Sequence, residues 1–312
     1  MPGTPRVAVI IPCYNEAAAI ARVVYDFRAA LPSADVVVYD NNSRDDTSRL
    51  ARNAGARVFA EPLQGKGHVI RRMFADVDAD VYVLVDGDDT YEAADAPAMV
   101  EKLLAERLDL VNGRRRETDV QNYRLGHRFG NRMLTGIAKR LFGDRLDDML
   151  SGYKIFSRRY VKSFPALSTG FEIETELTIH ALEMNMPIAE VDTAYRNRPE
   201  GSVSKLSTFR DGFRIVRMIV RLLKEMRPLA FFSTIAALLA ASAIFLAVPL
   251  ALEYLDSGLV PRLPTAVLVT GMMIVAGLSL TCGVLLDSVA RSRREIKHLH
   301  YLSIPLASPP SP

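Results

Sequence analysis

Two uncharged apolar stretches near the C-terminal end of the chain place the strongest limits on its fold. Residues 229–252 and 265–286 contain no acidic or basic side chain. A helix needs about 20 consecutive apolar residues to cross the hydrocarbon core of a bilayer. The sequence therefore predicts two transmembrane helices, and a buried helix pair in a soluble protein is the less favoured alternative.

The charged residues around these stretches indicate an orientation in the membrane. The linker 253–264 is short and carries both acidic and basic residues. Basic residues cluster on the two outer flanks, at Arg221, Lys224, Arg227, Arg291, Arg293, Arg294 and Lys297. Because basic flanks stay on the cytoplasmic side, we expect a multi-pass protein of the plasma (inner) membrane with both termini in the cytoplasm.

The N-terminal two thirds of the chain alternates between short β-branched runs and helical patterns. Early strands are predicted at residues 6–11, 35–40, 57–60 and 81–85, and a helical pattern follows each of the first three. Helices are also predicted at 94–106 and 172–185, and strands at 108–112 and 187–195. This alternation favours a Rossmann-like, mostly parallel α/β sheet, with ligands at the carboxyl ends of its strands.

An apolar strand that ends on a cluster of carboxylates is the clearest candidate for a functional site. Residues 81–85 are followed directly by Asp86, Gly87, Asp88 and Asp89. Closely spaced carboxylates suit a hard divalent cation that also holds phosphate. The run therefore suggests a site for a metal and a diphosphate, and a solvated acidic turn is the alternative.

Six separated motifs occur in an order that points to one family. They are IPCYNE at residues 11–16, DNNSRD at 40–45, GKG at 65–67, DGD at 86–88, DMLSGYK at 148–154 and EGSVSK at 200–205. Over about residues 6–206 the chain resembles the family 2 glycosyltransferases of the GT-A fold. Within that family it resembles the polyprenyl-phosphate sugar synthases related to dolichol-phosphate mannose synthase.

The resemblance implies a donor site for a nucleoside-diphosphate sugar. The residues implied to bind the nucleotide-sugar are Pro12, Tyr14, Glu16, Asp40, Asn41, Lys66, Asp86 and Gly87. The implied ligands of a Mg²⁺ or Mn²⁺ cofactor are Asp86, Asp88 and Thr90, with Asp89 as their neighbour. Asn41 and Asn42 depart from the acidic pattern that is common in the family, so the identity of the base stays open.

The resemblance also implies an acceptor site from residues farther along the chain. Asp148 and Asp88 are the implied catalytic residues, and Asp148 acts either as a base or by orienting charge near the anomeric carbon. The residues implied to bind a lipid phosphate are Arg115, Arg128, Arg198, Ser204 and Lys205. The loop at 201–205 is one residue longer than in the mannose synthases, which leaves the choice between Ser202 and Ser204 open.

Four segments follow from these assignments. Residues 1–207 are expected to form the GT-A domain, 228–290 the two-helix membrane domain and 291–312 a cytoplasmic tail. Residues 208–227 combine an apolar stripe with basic residues at helical spacing, which predicts an amphipathic helix in the membrane interface. Packing of that stripe on the globular domain is the alternative. Small residues in the spans are compatible with a homo-oligomer through the transmembrane helices.

The expected activity is inverting transfer of a sugar from a nucleoside-diphosphate sugar to undecaprenyl or dolichyl phosphate at the cytoplasmic membrane face. UDP-hexose or UDP-N-acetylhexosamine is favoured over a GDP-sugar by the resemblance alone. The alternatives are transfer to a glycolipid or polysaccharide in the membrane, and a non-catalytic nucleotide-sensing scaffold. A processive synthase is disfavoured because the chain lacks Trp, which the motif of such enzymes contains. Nucleic acid is not expected as a partner, since the basic stretch 114–132 has few aromatic residues.

Overall fold

The computed structural model describes residues 4–117, 136, 146–170, 172–196, 220 and 224–305. The chain divides into two compact units. The first comprises Met1–Phe213 and Lys297–Pro312, and the second comprises Arg214–Ile296. The first unit contains an α/β sheet, and the second contains most of the two apolar helices.

A mixed sheet forms the centre of the first unit. Its described strands are β1 (Val7–Cys13), β2 (Asp35–Asp40), β3 (Arg57–Ala60), β4 (Val81–Leu84), β5 (Leu110–Glu117), β6 (Lys154–Ser157) and β7 (Ile188–Tyr195). They are arranged in the spatial order β3-β2-β1-β4-β6-β5-β7. Strand β6 runs antiparallel to β4 and β5, whereas the other neighbours are parallel. The prediction of a mostly parallel α/β sheet is confirmed.

Helices cover both faces of this sheet. The described ones are α1 (Ile20–Ala30), α2 (Thr47–Asn53), α3 (Lys66–Asp76), α4 (Ala96–Ala105), α5 (Arg158–Ser163) and α6 (Ile173–Glu183). Val9 packs in a cluster with Phe27 of α1, whereas Ile10 packs in a second cluster with Met73 of α3. Because successive side chains of a strand point to opposite faces, the continuous apolar run of β1 indicates burial on both sides.

The sequence patterns do not predict strand β6, which is four residues long and begins with a lysine. Its register pairs Lys154 with Leu84 of β4 and with Asn112 of β5. Because β6 is antiparallel, its first residue lies beside the last residue of β4. The loop that precedes β6 therefore reaches the sheet edge at which the ligand site is expected.

The two apolar stretches form helices α7 (Pro228–Ser257) and α8 (Leu263–Leu302). Both are long and apolar enough to cross a membrane, by length and composition. Only 6% and 11% of their most apolar windows is buried, unlike the core helix of a soluble protein. The predicted spans lie inside these helices, and α8 continues beyond its predicted span. The amphipathic segment 208–227 lies outside the described residues, except for positions 220 and 224–227.

The last turn of α8 belongs to the first unit and binds a buried carboxylate there. Arg159 donates to both oxygens of the fully buried Asp109, at 2.5 and 2.8 Å, and Tyr301 donates to Oδ2 at 2.7 Å. We expect Tyr301→Phe to lower the free energy of unfolding by about 1.5 kcal/mol, because a bond to a charged group is lost. Thermal melting of the purified full chain measures this, with exposed Tyr25→Phe as the control. Equal melting temperatures in the two variants would contradict the prediction.

Candidate active site

The turn after β4 gives two adjacent carboxylates different partners. Asp88 is almost fully buried, and its Oδ1 accepts a hydrogen bond from Thr90 Oγ1 at 2.6 Å. Asp89 has a φ of 57°, and its carboxylate lies 3.3 Å from Arg22 of α1. Asp88 thus bonds within the turn itself, whereas Asp89 pairs with a neighbouring helix.

The other carboxylate of this turn, Asp86, is paired with Lys66 at the start of α3. Lys66 Nζ lies 2.5 Å from Asp86 Oδ1 and 2.6 Å from Glu174 Oε1. Burial alone would lower the pKa of Lys66, but the two carboxylates outweigh it and the pKa is raised. Lys66 therefore stays a cation. The sequence patterns do not identify Glu174, which lies in the first turn of α6 and is separated from Lys66 by 108 positions.

The glycines on either side of Lys66 permit a close backbone contact. Gly65 has a φ of 135°, and the N–H of Gly67 donates to the carbonyl oxygen of Thr169 at 3.1 Å. A Cβ at either glycine would collide with backbone of the 168–169 segment. This contact holds the segment before α6 against the start of α3, which allows a carboxylate of α6 to reach Lys66.

The ends of β1 and β2 lie side by side at the same sheet edge. Cys13 pairs with Asp40, whose carboxylate accepts hydrogen bonds from the N–H of Ser43 at 3.0 Å and from Ser48 Oγ at 2.5 Å. Gly87 of the acidic turn packs on Cys13, since a Cβ there would come within 2.6 Å of the cysteine sulfur. The implied nucleotide residues on these adjoining segments are Pro12, Tyr14, Glu16, Asp40 and Gly87.

Asn41 holds the turn that leads to Lys66. Its side chain is buried, and its Nδ2 donates to the carbonyl oxygens of Glu61 at 2.9 Å and Leu63 at 2.8 Å. Its Oδ1 accepts the N–H of Gly65 at 2.7 Å. The amide that the resemblance assigns to the donor thus contacts the loop that presents Lys66.

The resemblance implies separate roles for Asp148 and Arg115, whereas the structure pairs them. Arg115 Nε lies 2.7 Å from Asp148 Oδ2, and Arg115 Nη2 lies 2.8 Å from Oδ1. Burial would raise the pKa of Asp148, but the bonds and charge of Arg115 outweigh it and the pKa is lowered. A carboxylate with a lowered pKa is a weak proton acceptor.

Gly152 brings the two turns into direct contact. Its N–H donates to the hydroxyl oxygen of Tyr91 at 2.8 Å, and a Cβ at this glycine would collide with the carboxylate of Asp86. Burial raises the pKa of Tyr91 well above its usual value, so the hydroxyl stays protonated. The loop that carries Asp148 therefore packs on the turn that carries Asp86. Sequence reasoning missed Tyr91, although it directly follows Thr90, one of the implied metal ligands.

Of the residues implied to bind a lipid phosphate, Arg115 lies in the described part of the chain. Its guanidinium lies 5.6 Å from the ring centroid of Tyr195, a separation typical of a cation–π contact. Asp148 and Tyr195 therefore both contact the guanidinium. Four residues of the set lie outside the described residues, namely Arg128, Arg198, Ser204 and Lys205.

The donor atoms at the acidic turn fit a cation that also takes ligands from its substrate. Within the described ranges, no group of three or more His, Cys, Asp or Glu is placed to hold a metal ion by itself. Asp86 and Asp88 present carboxylate oxygens two positions apart. Mg²⁺ is commonly held by one or two carboxylates together with substrate phosphates, and this donor set matches that chemistry.

The sheet order, the acidic turn after β4 and the adjoining Asp148 loop define a GT-A domain. The sequence matches the model of glycosyl transferase family 2 over residues 8–164. The chain belongs to this family, as the motifs indicated.

Relatives and solved structures agree with this assignment. The glycosyltransferase AglJ of Haloferax volcanii is 34% identical over 301 residues, which cover 95% of this chain and 97% of AglJ. A dolichyl-phosphate hexose transferase of the same organism is 30% identical over 221 residues, or 70% of this chain and 95% of that protein. A crystal structure of Mycobacterium tuberculosis glucosyl-3-phosphoglycerate synthase with Mn²⁺, UDP-glucose and glycerol 3-phosphate has a TM-score of 0.55 and 27% identity, and the match covers 70% and 79% of the two chains.

Proposed function

We propose that this protein transfers a sugar, with inversion, from a nucleoside-diphosphate sugar to a polyprenyl phosphate at the cytoplasmic face of the plasma membrane. The observation that carries the proposal is the contact, through Gly152, between the Asp86 turn and the loop of the Asp148–Arg115 pair. This contact supports a donor site and a phosphate site that adjoin each other. Two helices of membrane-spanning length and a relative named as a dolichyl-phosphate hexose transferase support a lipid acceptor.

On the donor side, the ends of β1 and β2 would hold the nucleoside through Pro12, Tyr14, Glu16 and Asp40. Asp86, Asp88 and Thr90 would hold Mg²⁺ or Mn²⁺. When bound, the cation would neutralise the charge that builds on the departing diphosphate. Lys66 lies beside Asp86 and adds a fixed positive charge at the same place. The similarity to a structure that contains UDP-glucose and Mn²⁺ supports UDP as the donor nucleotide.

On the acceptor side, the nucleophile would be the lipid phosphate itself. A phosphate monoester is already ionised near neutral pH, so no general base has to activate it. Asp148 binds Nε and Nη2 of Arg115 and so sets the orientation of the guanidinium, whose other N–H groups would donate to the phosphate. Arg128, Arg198, Ser204 and Lys205 are proposed to complete the phosphate site. One phosphate oxygen then attacks the anomeric carbon from the face opposite to the leaving diphosphate, which inverts the configuration.

With α7 and α8 in the membrane and both termini in the cytoplasm, the globular unit would meet cytosolic nucleotide-sugars and the phosphate end of a membrane lipid. The product would be a polyprenyl-phosphate sugar for glycosylation of the cell envelope. The basic outer flanks of the two helices support this orientation.

The test is a transfer assay with the purified full chain in detergent. Radiolabelled UDP-glucose, UDP-N-acetylglucosamine and GDP-mannose are each supplied with undecaprenyl phosphate, with 3-phosphoglycerate or with no acceptor. We expect a lipid-extractable product from a UDP-sugar that depends on undecaprenyl phosphate and is abolished by EDTA. Product from 3-phosphoglycerate instead, or transfer that EDTA leaves unchanged, would contradict the proposal.

A further inference from the structure

A row of polar side chains crosses the sheet next to Asp148. Lys154 of β6 is in register with Asn112 of β5, and Asn112 is in register with Glu190 of β7. We call these three residues the polar row. Lys154 and Asn112 are completely buried. Burying polar groups in a sheet costs free energy unless they are hydrogen-bonded. The hydrogen-bond partners of the polar row therefore show which part of the protein it stabilises.

The bonds within the polar row run in one direction. Lys154 Nζ donates to Asn112 Oδ1 at 2.5 Å, and Asn112 Nδ2 donates to Glu190 Oε1 at 2.8 Å. Burial lowers the pKa of Lys154 to about 8, against the opposing effect of carboxylates that include Asp148. Lys154 is therefore still mostly protonated at pH 7. The two hydrogen bonds orient the Asn112 amide with its oxygen toward Lys154 and its nitrogen toward Glu190.

The polar row ends on the backbone around Asp148. Asn112 Nδ2 also donates to the carbonyl oxygen of Asp148 at 2.7 Å. Glu190 Oε1 accepts the N–H of Asp148 at 3.1 Å, and Oε2 accepts the N–H of Asp147 at 2.8 Å. Asn112 and Glu190 thus bind both peptide groups that flank the Asp148 side chain, while Arg115 binds its carboxylate.

We propose that the polar row is the positioning element of the acceptor site: Lys154, Asn112 and Glu190 fix the backbone of Asp148 and, through its carboxylate, the direction of Arg115. Asn112 and Glu190 contact the backbone of Asp148, Lys154 contacts Asn112, and none of the three is proposed to touch substrate. The inference rests on the proposed function, in which Arg115 binds the acceptor phosphate. A displacement of about 1 Å in such a group can lower a rate on the order of 10²-fold.

If the polar row only stabilised the fold, its variants would melt at a lower temperature but keep their kcat. Ser157, at the other end of β6, is also buried and donates to Asp109 at 2.6 Å. Ser157→Ala therefore removes a buried hydrogen bond from the same strand without touching the Asp148 loop. It is the matched control for stability loss alone.

The experiment compares Asn112→Ala, Glu190→Gln and Ser157→Ala in the purified full chain, with the acceptor that supports transfer by the wild type. Glu190→Gln keeps the size of the side chain but puts an NH₂ group in place of an oxygen that accepts a backbone N–H. If Asn112→Ala does not fold, Glu190→Gln still tests the polar row. We expect kcat to fall about 10- to 100-fold in the two row variants while KM for the UDP-sugar changes less than about twofold. Ser157→Ala is expected to melt at a lower temperature and to keep its kcat.

Asp148→Asn separates failure of this inference from failure of the proposed function. If Asp148→Asn loses activity while both row variants that fold keep kcat, the polar row does not position the site and the inference is overturned. A fall in kcat for Ser157→Ala that matches the row variants would overturn it as well. If the wild type shows no acceptor-dependent transfer, the proposed function fails and the inference fails with it. If the wild type transfers sugar and Asp148→Asn keeps full activity, the proposed function stands, but Asp148 does not direct Arg115 and the inference is overturned.

Discussion

Replacing Asp88 by asparagine is expected to lower kcat/KM for sugar transfer on the order of 10³-fold, which corresponds to about 4 kcal/mol of transition-state stabilisation. The Asp88 carboxylate is almost fully buried and is fixed by Thr90 at 2.6 Å. Asparagine keeps its size and can still accept that bond, but it lacks the negative charge that a divalent cation needs. Initial rates at varied UDP-sugar concentrations measure the effect.

Asp89→Asn is the matched control, since it makes the same chemical change at the next residue. Asp89 pairs with Arg22 on α1 and has a positive φ that asparagine tolerates. We expect Asp89→Asn to stay within about threefold of the wild type. Calorimetric titration with UDP gives an independent readout: Mn²⁺ should strengthen UDP binding to the wild type and to Asp89→Asn but not to Asp88→Asn. Equal losses in the two variants would show that the turn as a whole, and not Asp88, is required.

The sheet and the acidic turn could be predicted because their signals are local. Short β-branched runs followed by helical patterns indicate parallel strands, and each strand end can be located from the residue that interrupts the run. Asp86 and Asp88 follow an apolar run directly, so their place at a sheet edge depends on neighbouring residues alone. The two apolar helices were predictable for the same reason.

Contacts between distant segments could not be predicted in this way. The pairing of Lys154, Asn112 and Glu190 depends on a short antiparallel strand whose partners are set by tertiary packing. Hydrophobic periodicity carries no information on which strands become neighbours. The resemblance supplied Asp148 and Arg115 as separate residues, but it did not indicate that they form an ion pair.

Glu174 illustrates the same limit and leads to the second large effect. In the structure it shares Lys66 with Asp86. We expect Lys66→Met to lower the free energy of unfolding by about 3 kcal/mol, because it leaves two largely buried carboxylates without their cation. Removing one carboxylate as well, in Lys66→Met with Glu174→Gln, should restore part of that loss. Thermal and denaturant unfolding of the full chain measure both changes.

The sign of this coupling distinguishes an ion triad from three independent side chains. If Lys66 mainly compensates the two carboxylates, the double variant is more stable than the sum of the single changes predicts, by about 1–3 kcal/mol. Lys102→Met breaks the exposed Lys102–Glu106 pair and should cost less than about 1 kcal/mol. Strict additivity in the double variant, or a Lys66→Met effect no larger than that of Lys102→Met, would contradict the prediction. In either case Lys66 would not be needed as the counter-ion of Asp86. Its positive charge at the candidate donor site would then act only on the diphosphate of the donor.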